Sequence, residues 1–216
     1  MRFCAIALLS LSVCRGRVED RHAEAPVADA GIGIAIAKPC PDEMVLVPVN
    51  AGVCVDLYEG ALVDAGTVRA TPAHGIYPQS DISQVQARDA CAGSGKRLCT
   101  RVEWTAACRG KPAHDYVYPY GDAYDSTACN EGRSELARGG DYPKCKSTYG
   151  AFDMHGNLHE WVDDSLRSSE LGTFMGGFFV DAKVNGNGCE YATTAHAKTY
   201  RDYSTGFRCC ANPILL

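Results

Sequence analysis

Twelve cysteines in a chain of 216 residues constrain the fold more than any other feature. In a reducing cytosol all of them would have to stay as thiols or bind metal, so an oxidising compartment is the better reading. Setting aside Cys4 and Cys14, which fall in an N-terminal leader, leaves Cys40, Cys54, Cys91, Cys99, Cys108, Cys129, Cys145, Cys189, Cys209 and Cys210. That remainder is even, as a disulfide framework requires. No pair shows the CxxC…CxxC or Cys/His spacing of a zinc site. Cys209 and Cys210 are adjacent; on a strand their side chains would point to opposite faces and take different partners. Beyond this the residues leave the connectivity open.

The leader supports the compartment. MRFCAIALLSLSVC has one early Arg and a short apolar run, Cys4 to Val13. The run is too short to span a bilayer and suits a signal peptide. LSVC, ending at Cys14, resembles a bacterial lipobox whose cysteine is lipidated, although Val13 departs from the usual small residue. Residues 1–14 are therefore expected to be a signal peptide, of the lipoprotein or the plainly secreted type. Residues 15–39 mix charge, Ala, Gly and Pro without periodicity and read as a flexible tether. The net charge of −5 argues against a nucleic-acid partner. A folded part of about 175 residues can bury roughly 70% of its unfolded-chain surface, which is enough for a real core.

Along residues 40–213, MVLVPV (44–49) and VCVDLYE (53–59) read as short strands. DISQVQARDACAG (81–93) reads as a helix capped by Asp81 or Ser83, with Val85 and Cys91 in its helical phase and a stop at Gly93. TRVEWTAACRG (100–110) carries a capping box in Thr100 and Glu103, with Val102, Trp104, Ala107 and Cys108 as its inner face. From 111 to 188 turn formers dominate. The fold class is therefore α+β, irregular and coil-rich, and such coil must satisfy its backbone polar groups through disulfides, ions or buried turns.

One stretch stands out: YGAFDMHGNLHEWVDD, Tyr149 to Asp164, packs carboxylates and Gly156-Asn157 among large apolar side chains. The spacing of His155 and His159 suggests a shared helix face for zinc. Gly156-Asn157 is a poor helix centre, however, and no third ligand has suitable spacing.

GKRLCTRVEWTAACRG, YPYGD, YGAFDMHGNLHEWVDD, MGGFF and TGFRCC occur here in the order of the formylglycine-generating enzyme, or sulfatase-modifying factor, family, which the chain resembles over roughly residues 40–211. The resemblance implies an irregular α+β fold related to the C-type-lectin-like fold. It also implies disulfides Cys91–Cys209 and Cys108–Cys189. Cys99, unusual at its position in the family motif, would then be free to pair with Cys210. Cys40–Cys54 and Cys129–Cys145 remain as sequence-local pairs.

The resemblance further implies calcium. Asp153 and Glu160 would supply carboxylates, and Gly156 and Leu158 backbone carbonyls. Hard oxygens at flexible angles suit that ion, and Gly156-Asn157 allows the tight bend. Phe152, Met154, Leu158 and Trp161 would pack outside it. A second calcium site would use Asn130, a carbonyl from Glu131, and Asp141, across a segment shorter than the family's.

At the reactive centre the resemblance fails. The family's copper-binding cysteines lie four residues after the second Gly of the GG motif and five further on, which here are Asp181 and Gly186; Phe178 replaces the Ser after GG. Cu(I) prefers two soft thiolates, which an Asp and a Gly cannot replace. Copper is thus unexpected, and so is copper-dependent formylglycine formation.

Three functions follow. The first is a binding or assembly module of the cell envelope, secreted, periplasmic or anchored in the outer envelope through Cys14. Its partner would be a peptide, a glycan or an envelope protein, met in a groove lined by Phe178, Phe179 and Tyr191. The second is an enzyme of different chemistry built on the loop 178–208, with His196, Asp181 and Tyr200 as candidate catalytic residues and Asp202 as a partner for His196. The third is a structural envelope lipoprotein. The plainer alternative for the polar loop residues is solvation, with Arg208 and Asp202 in a structural ion pair.

Overall fold

The computed structural model describes residues 38–63, 68–164 and 170–214. The leader, Cys14 and the tether up to residue 37 lie outside the described residues. Valine-rich alternation puts two strands first, β1 (Met44–Val47) and β2 (Val53–Asp56), paired antiparallel from Met44↔Asp56 to Val47↔Val53. A hairpin, β3 (Gly60–Leu62) and β4 (Ala70–Pro72), follows. Helix α1 (Gln84–Gly93) starts at Ser83, which forms a reciprocal capping box with Gln86. After β5 (Arg97–Leu98), Thr100 and Glu103 form the expected box at the start of α2 (Arg101–Arg109).

Two inner faces differ from expectation. Val85 and Val102 are exposed, and α1 buries Gln84, Ala87, Ala90 and Cys91 instead. Val102 lies on the side of α2 opposite Trp104, Ala107 and Cys108, which carry the packing. Of the two expected caps Ser83 is the one used, so α1 begins at Gln84.

The coil-like second half contains strands that the turn formers concealed: β6 (His159–Val162), β7 (Thr173–Met175), β8 (Ala192–Thr193) and β9 (Thr205–Phe207), ordered β8-β7-β6-β9 with β6 and β9 parallel. β6 is buried at every position, carboxylate included. The last strand, β10 (Cys209–Ala211), returns between β2 and β5, giving a sheet ordered β1-β2-β10-β5. The Ile214 N–H donates to the Pro39 carbonyl at 2.8 Å, so the two ends of the domain meet.

The structure closes five disulfides: Cys40–Cys54, Cys91–Cys209, Cys99–Cys210, Cys108–Cys189 and Cys129–Cys145. The two neighbours on β10 diverge as strand geometry demands. Cys209 joins a core with Trp161, Phe174 and Phe207; Cys210 joins one with Trp104, Met154 and Met175. Every cysteine from Cys40 onward is thus bonded. Among the described residues no helix is long and apolar enough to cross a membrane.

Candidate functional site

The loop after β7 begins at Gly176 and Gly177, both with positive φ. A Cβ on Gly177 would sit 2.4 Å from the Ala182 Cα, so the loop folds back on itself only with glycine there. The Phe178 N–H donates to the Asp181 carbonyl at 2.9 Å, and the Asp181 carboxylate accepts from the Lys183 and Val184 N–H groups at 3.0 and 3.3 Å. Asp181 therefore caps the loop's own backbone. Gly186 has φ +128°, and a Cβ there would meet the Glu190 carbonyl oxygen at 3.0 Å. The two positions expected to differ from copper ligands belong to a loop shaped around their replacements.

On one side of this loop lies an aromatic cluster. The His159 ring, on β6, lies 4.4 Å from Phe174, 4.9 Å from Phe178 and 5.5 Å from Tyr191 between centroids. Its Nδ1 is buried and has no hydrogen-bond partner among the described residues. Burial pushes the imidazole down to about 4, against the pull of Asp202 and Asp181. His196 stacks on Tyr200 at 4.2 Å. Tyr200 donates to Asp202 Oδ2 at 2.6 Å, which lifts its hydroxyl to about 12. Asp202 also accepts from the Ser204 hydroxyl at 2.7 Å.

Of the three candidate catalytic residues, His196 and Tyr200 are brought into ring contact, whereas Asp181 caps its own loop and Asp202 turns to Tyr200 and Ser204 rather than to His196. The expected groove lining is corrected as well, because Tyr191 and Phe179 are buried at 1% and 8% exposure. Phe178 is half-buried, and Tyr203 packs against it from the surface at 5.9 Å.

On the loop's other side, a cleft of about 430 Å³ is lined by Tyr124, Thr127, Glu131, Arg133, Asp181 and Lys183. Glu131 accepts from His155 Nε2 at 2.7 Å, from Lys183 at 2.9 Å and from the Tyr124 hydroxyl at 3.0 Å. A carboxylate only accepts, so His155 Nε2 carries the proton. Burial alone would raise Glu131, but these donors bring it down to about 2. The two histidines of the suggested zinc pair therefore face separate clusters.

Beneath β6 the acidic stretch finds its main partner. Arg208 donates to Glu160 through Nε and Nη2, both at 2.6 Å, and Trp104 Nε1 adds a third hydrogen bond at 2.7 Å. The ion pair expected between Arg208 and Asp202 does not form, because Arg208 is taken by Glu160 and Asp202 by Tyr200 and Ser204. Glu59, which carried no sequence signal, is fully buried and accepts from the Leu158 N–H at 3.0 Å and from the Asn157 amide. Burial, Asp153 and Glu160 hold it well above the usual carboxylate range. Asp153 accepts from the Gly140 N–H at 2.9 Å, and burial pushes it up to about 7.

Three buried carboxylates thus face one guanidinium. A divalent cation beside Asp153, whose backbone, like those of Gly156 and Asn157, is left-handed, would have to displace the protons that burial keeps on Glu59 and Asp153. Glu160 would have to share its oxygens with Arg208. At the second expected site, Asn130 and Asp141 line one cleft of about 550 Å³, while the Glu131 side chain turns away to His155. Among the described residues no three His, Cys, Asp or Glu side chains are grouped as metal ligands, so an ion in either place would lean on carbonyls and water.

Two capped helices, short broken sheets and five staples define a protein of the formylglycine-generating-enzyme-like and C-type-lectin-like fold class. The sequence profile of the sulfatase-modifying factor enzyme 1-like domain matches residues 63–213, and the chain belongs to that family. It is 28% identical over 165 residues to the inactive C-alpha-formylglycine-generating enzyme 2 of Bos taurus, covering 66% of this chain and 54% of that protein. It is 37% identical over 95 residues to hercynine oxygenase of Mycolicibacterium thermoresistibile, covering 42% and 21%. The chain therefore spans about half the length of the first relative and a fifth of the second. In fold it is similar to the Major Tropism Determinant I1 variant, with a TM-score of 0.58 at 16% identity over 83% of this chain and 55% of that one.

Proposed function

We propose that this chain is a disulfide-stapled binding module of the extracellular or envelope space, without copper-dependent formylglycine-generating activity. The observation that carries this reading is the loop after Gly177. Asp181 and Gly186 stand at the thiolate positions, Asp181 caps the backbone, and Cys189 is bonded to Cys108. Two soft thiolates are what Cu(I) needs, and the loop offers none. The bovine relative's name, which calls that protein inactive, is compatible with this. Five disulfides suit an oxidising setting. The ligand face would be the surface beside the loop, where Phe178, His196 and Tyr200 are half-buried and Tyr203 is exposed, with Asp202 at Tyr200. A peptide or glycan chain is the ligand class such a face suits.

We further propose a structural calcium ion beside Asp153, held with the Gly156 and Leu158 carbonyls.

The test is incubation of the pure protein with a cysteine-containing sulfatase-type peptide, Cu(I) and oxygen. The peptide mass should stay unchanged; loss of the thiol with gain of an aldehyde would overturn the reading.

A further inference from the structure

Away from the loop, three clefts adjoin along the free edge of β1. Their volumes are about 610, 500 and 470 Å³, and they share Leu46, Pro48, Pro112 and Tyr149 between neighbours. Among the described residues β1 is the outermost strand of its sheet, and only β2 pairs with it. The Leu57 N–H donates to the Glu43 carbonyl, so Glu43, Val45 and Val47 are the residues whose backbones bond across to β2. By alternation, the N–H and C=O of Leu46 and the C=O of Met44 point to the open edge; the Met44 N–H is taken by Pro41.

Side chains alternate in the same way. Val45 and Val47 lie on the face that packs toward α2, where the largest cleft has Val47, Val102, Ala106 and Tyr149 in its wall. Leu46 lies on the other face, where a second cleft is bounded by Pro39, Gly52, Pro213 and Ile214. Leu46, Val102 and Ile214 are 40%, 58% and 57% exposed. An unpaired strand edge with an apolar cleft on each face matches an incoming strand, whose own side chains alternate between the two.

Charge narrows the occupant. Arg101 and Lys111 line these clefts and have no acidic partner among the described residues. The acids there, Asp115 and Glu190, are both held by Arg109. The unmet charge is positive.

We propose that the edge of β1 is a docking site for an extended segment of a partner polypeptide, with alternate aliphatic side chains and a carboxylate toward Arg101 and Lys111. The edge offers few hydrogen bonds, because β1 has four residues and Pro48 follows it. Recognition is therefore of a short segment whose side chains fill the clefts, the strand-addition mode.

The experiment selects random heptapeptides displayed against the full chain and then makes the enriched sequences synthetically. Enriched peptides should alternate aliphatic residues around an acid and slow exchange of the Leu46 amide on binding. N-methylation of the peptide residue facing Leu46 should weaken binding about 10-fold or more. Reversing charge at Arg101→Glu and Lys111→Glu should weaken it about 10-fold with the fold unchanged by circular dichroism. Four results would each overturn the proposal. They are no enrichment, affinity that survives N-methylation, a Leu46 amide already protected in the chain alone, or concentration-dependent pairing of two copies through this edge.

Discussion

Arg208 reaches Glu160 through two nitrogens and spends its remaining donors on the carbonyls of Asp56 at 3.0 Å and Phe152 at 2.8 Å. One side chain thereby ties β2 of the first sheet to β6 of the second and anchors the loop between them. Both groups are fully buried, so removing either leaves an uncompensated charge. Arg208→Ala and Glu160→Ala should each cost about 3–5 kcal/mol in urea unfolding. The double variant should cost clearly less than their sum, since the two residues are in contact. Additive effects would show that the pair is not coupled.

The pH dependence should contain two opposing slopes. His159 is held down at about 4, so the unfolded chain binds its proton first and stability rises with pH between about 4 and 6.5. Asp153 is held up at about 7, so the folded chain keeps its proton and stability falls as pH rises from about 4 to 7. Each contribution is on the order of a few kcal/mol. In calcium-free buffer Asp153→Asn should tilt the curve upward between about pH 4 and 6.5 relative to the parent, with Glu59 still contributing a decline. His159→Phe should tilt it downward up to about pH 7. Identical curves for the two variants and the parent would refute both assignments.

Calcium should relieve the crowding of Glu59, Asp153 and Glu160. EDTA is expected to lower Tm at pH 8, and excess calcium to restore it, with Asp153→Asn abolishing the response. A Tm indifferent to both removes the ion from this stretch.

The staples should differ in strength. Cys91–Cys209 spans 118 residues and Cys40–Cys54 spans 14. In the chain-entropy account the first contributes about 4–5 kcal/mol and the second about 3. Replacing each pair by serine should destabilise in that order, and native protein should show no alkylatable thiol from Cys40 onward. Two or more labelled cysteines would break this framework.

Gly177→Ala should be strongly destabilising, because its backbone is left-handed and the added methyl would meet Ala182. Gly75, also left-handed but with open space around it, should tolerate alanine at smaller cost. Equal losses at the two positions would show that the loop's close approach is unimportant.

Much of this architecture was legible in the residues. Thr100 and Glu103 announce a helix start because capping is local chemistry, settled within four residues. The resemblance carried by the ordered motifs implied Cys91–Cys209 and Cys108–Cys189, whereas Cys40–Cys54 and Cys129–Cys145 rested on nearness in the chain. His159 and Glu160 misled, because a strand carrying a carboxylate reads as coil until its cation, 48 residues away, is known. Val102 misled as well: helical phase marks a stripe, but which edge of the stripe meets the core depends on what packs there. Glu59 was invisible, since a lone acid beside a hairpin looks like any solvated one.

By itself the sequence determined the local parts of this protein: an even set of cysteines suited to an oxidising compartment, two capped helices, glycine-shaped loops, and Asp181 and Gly186 in the loop after Gly177. Only the tertiary structure decided which charges are buried together, that Asp202 serves Tyr200 rather than His196, and that among the described residues β1 has an open edge. Local signals are written in neighbouring residues, whereas burial and charge pairing depend on groups brought together from distant parts of the chain.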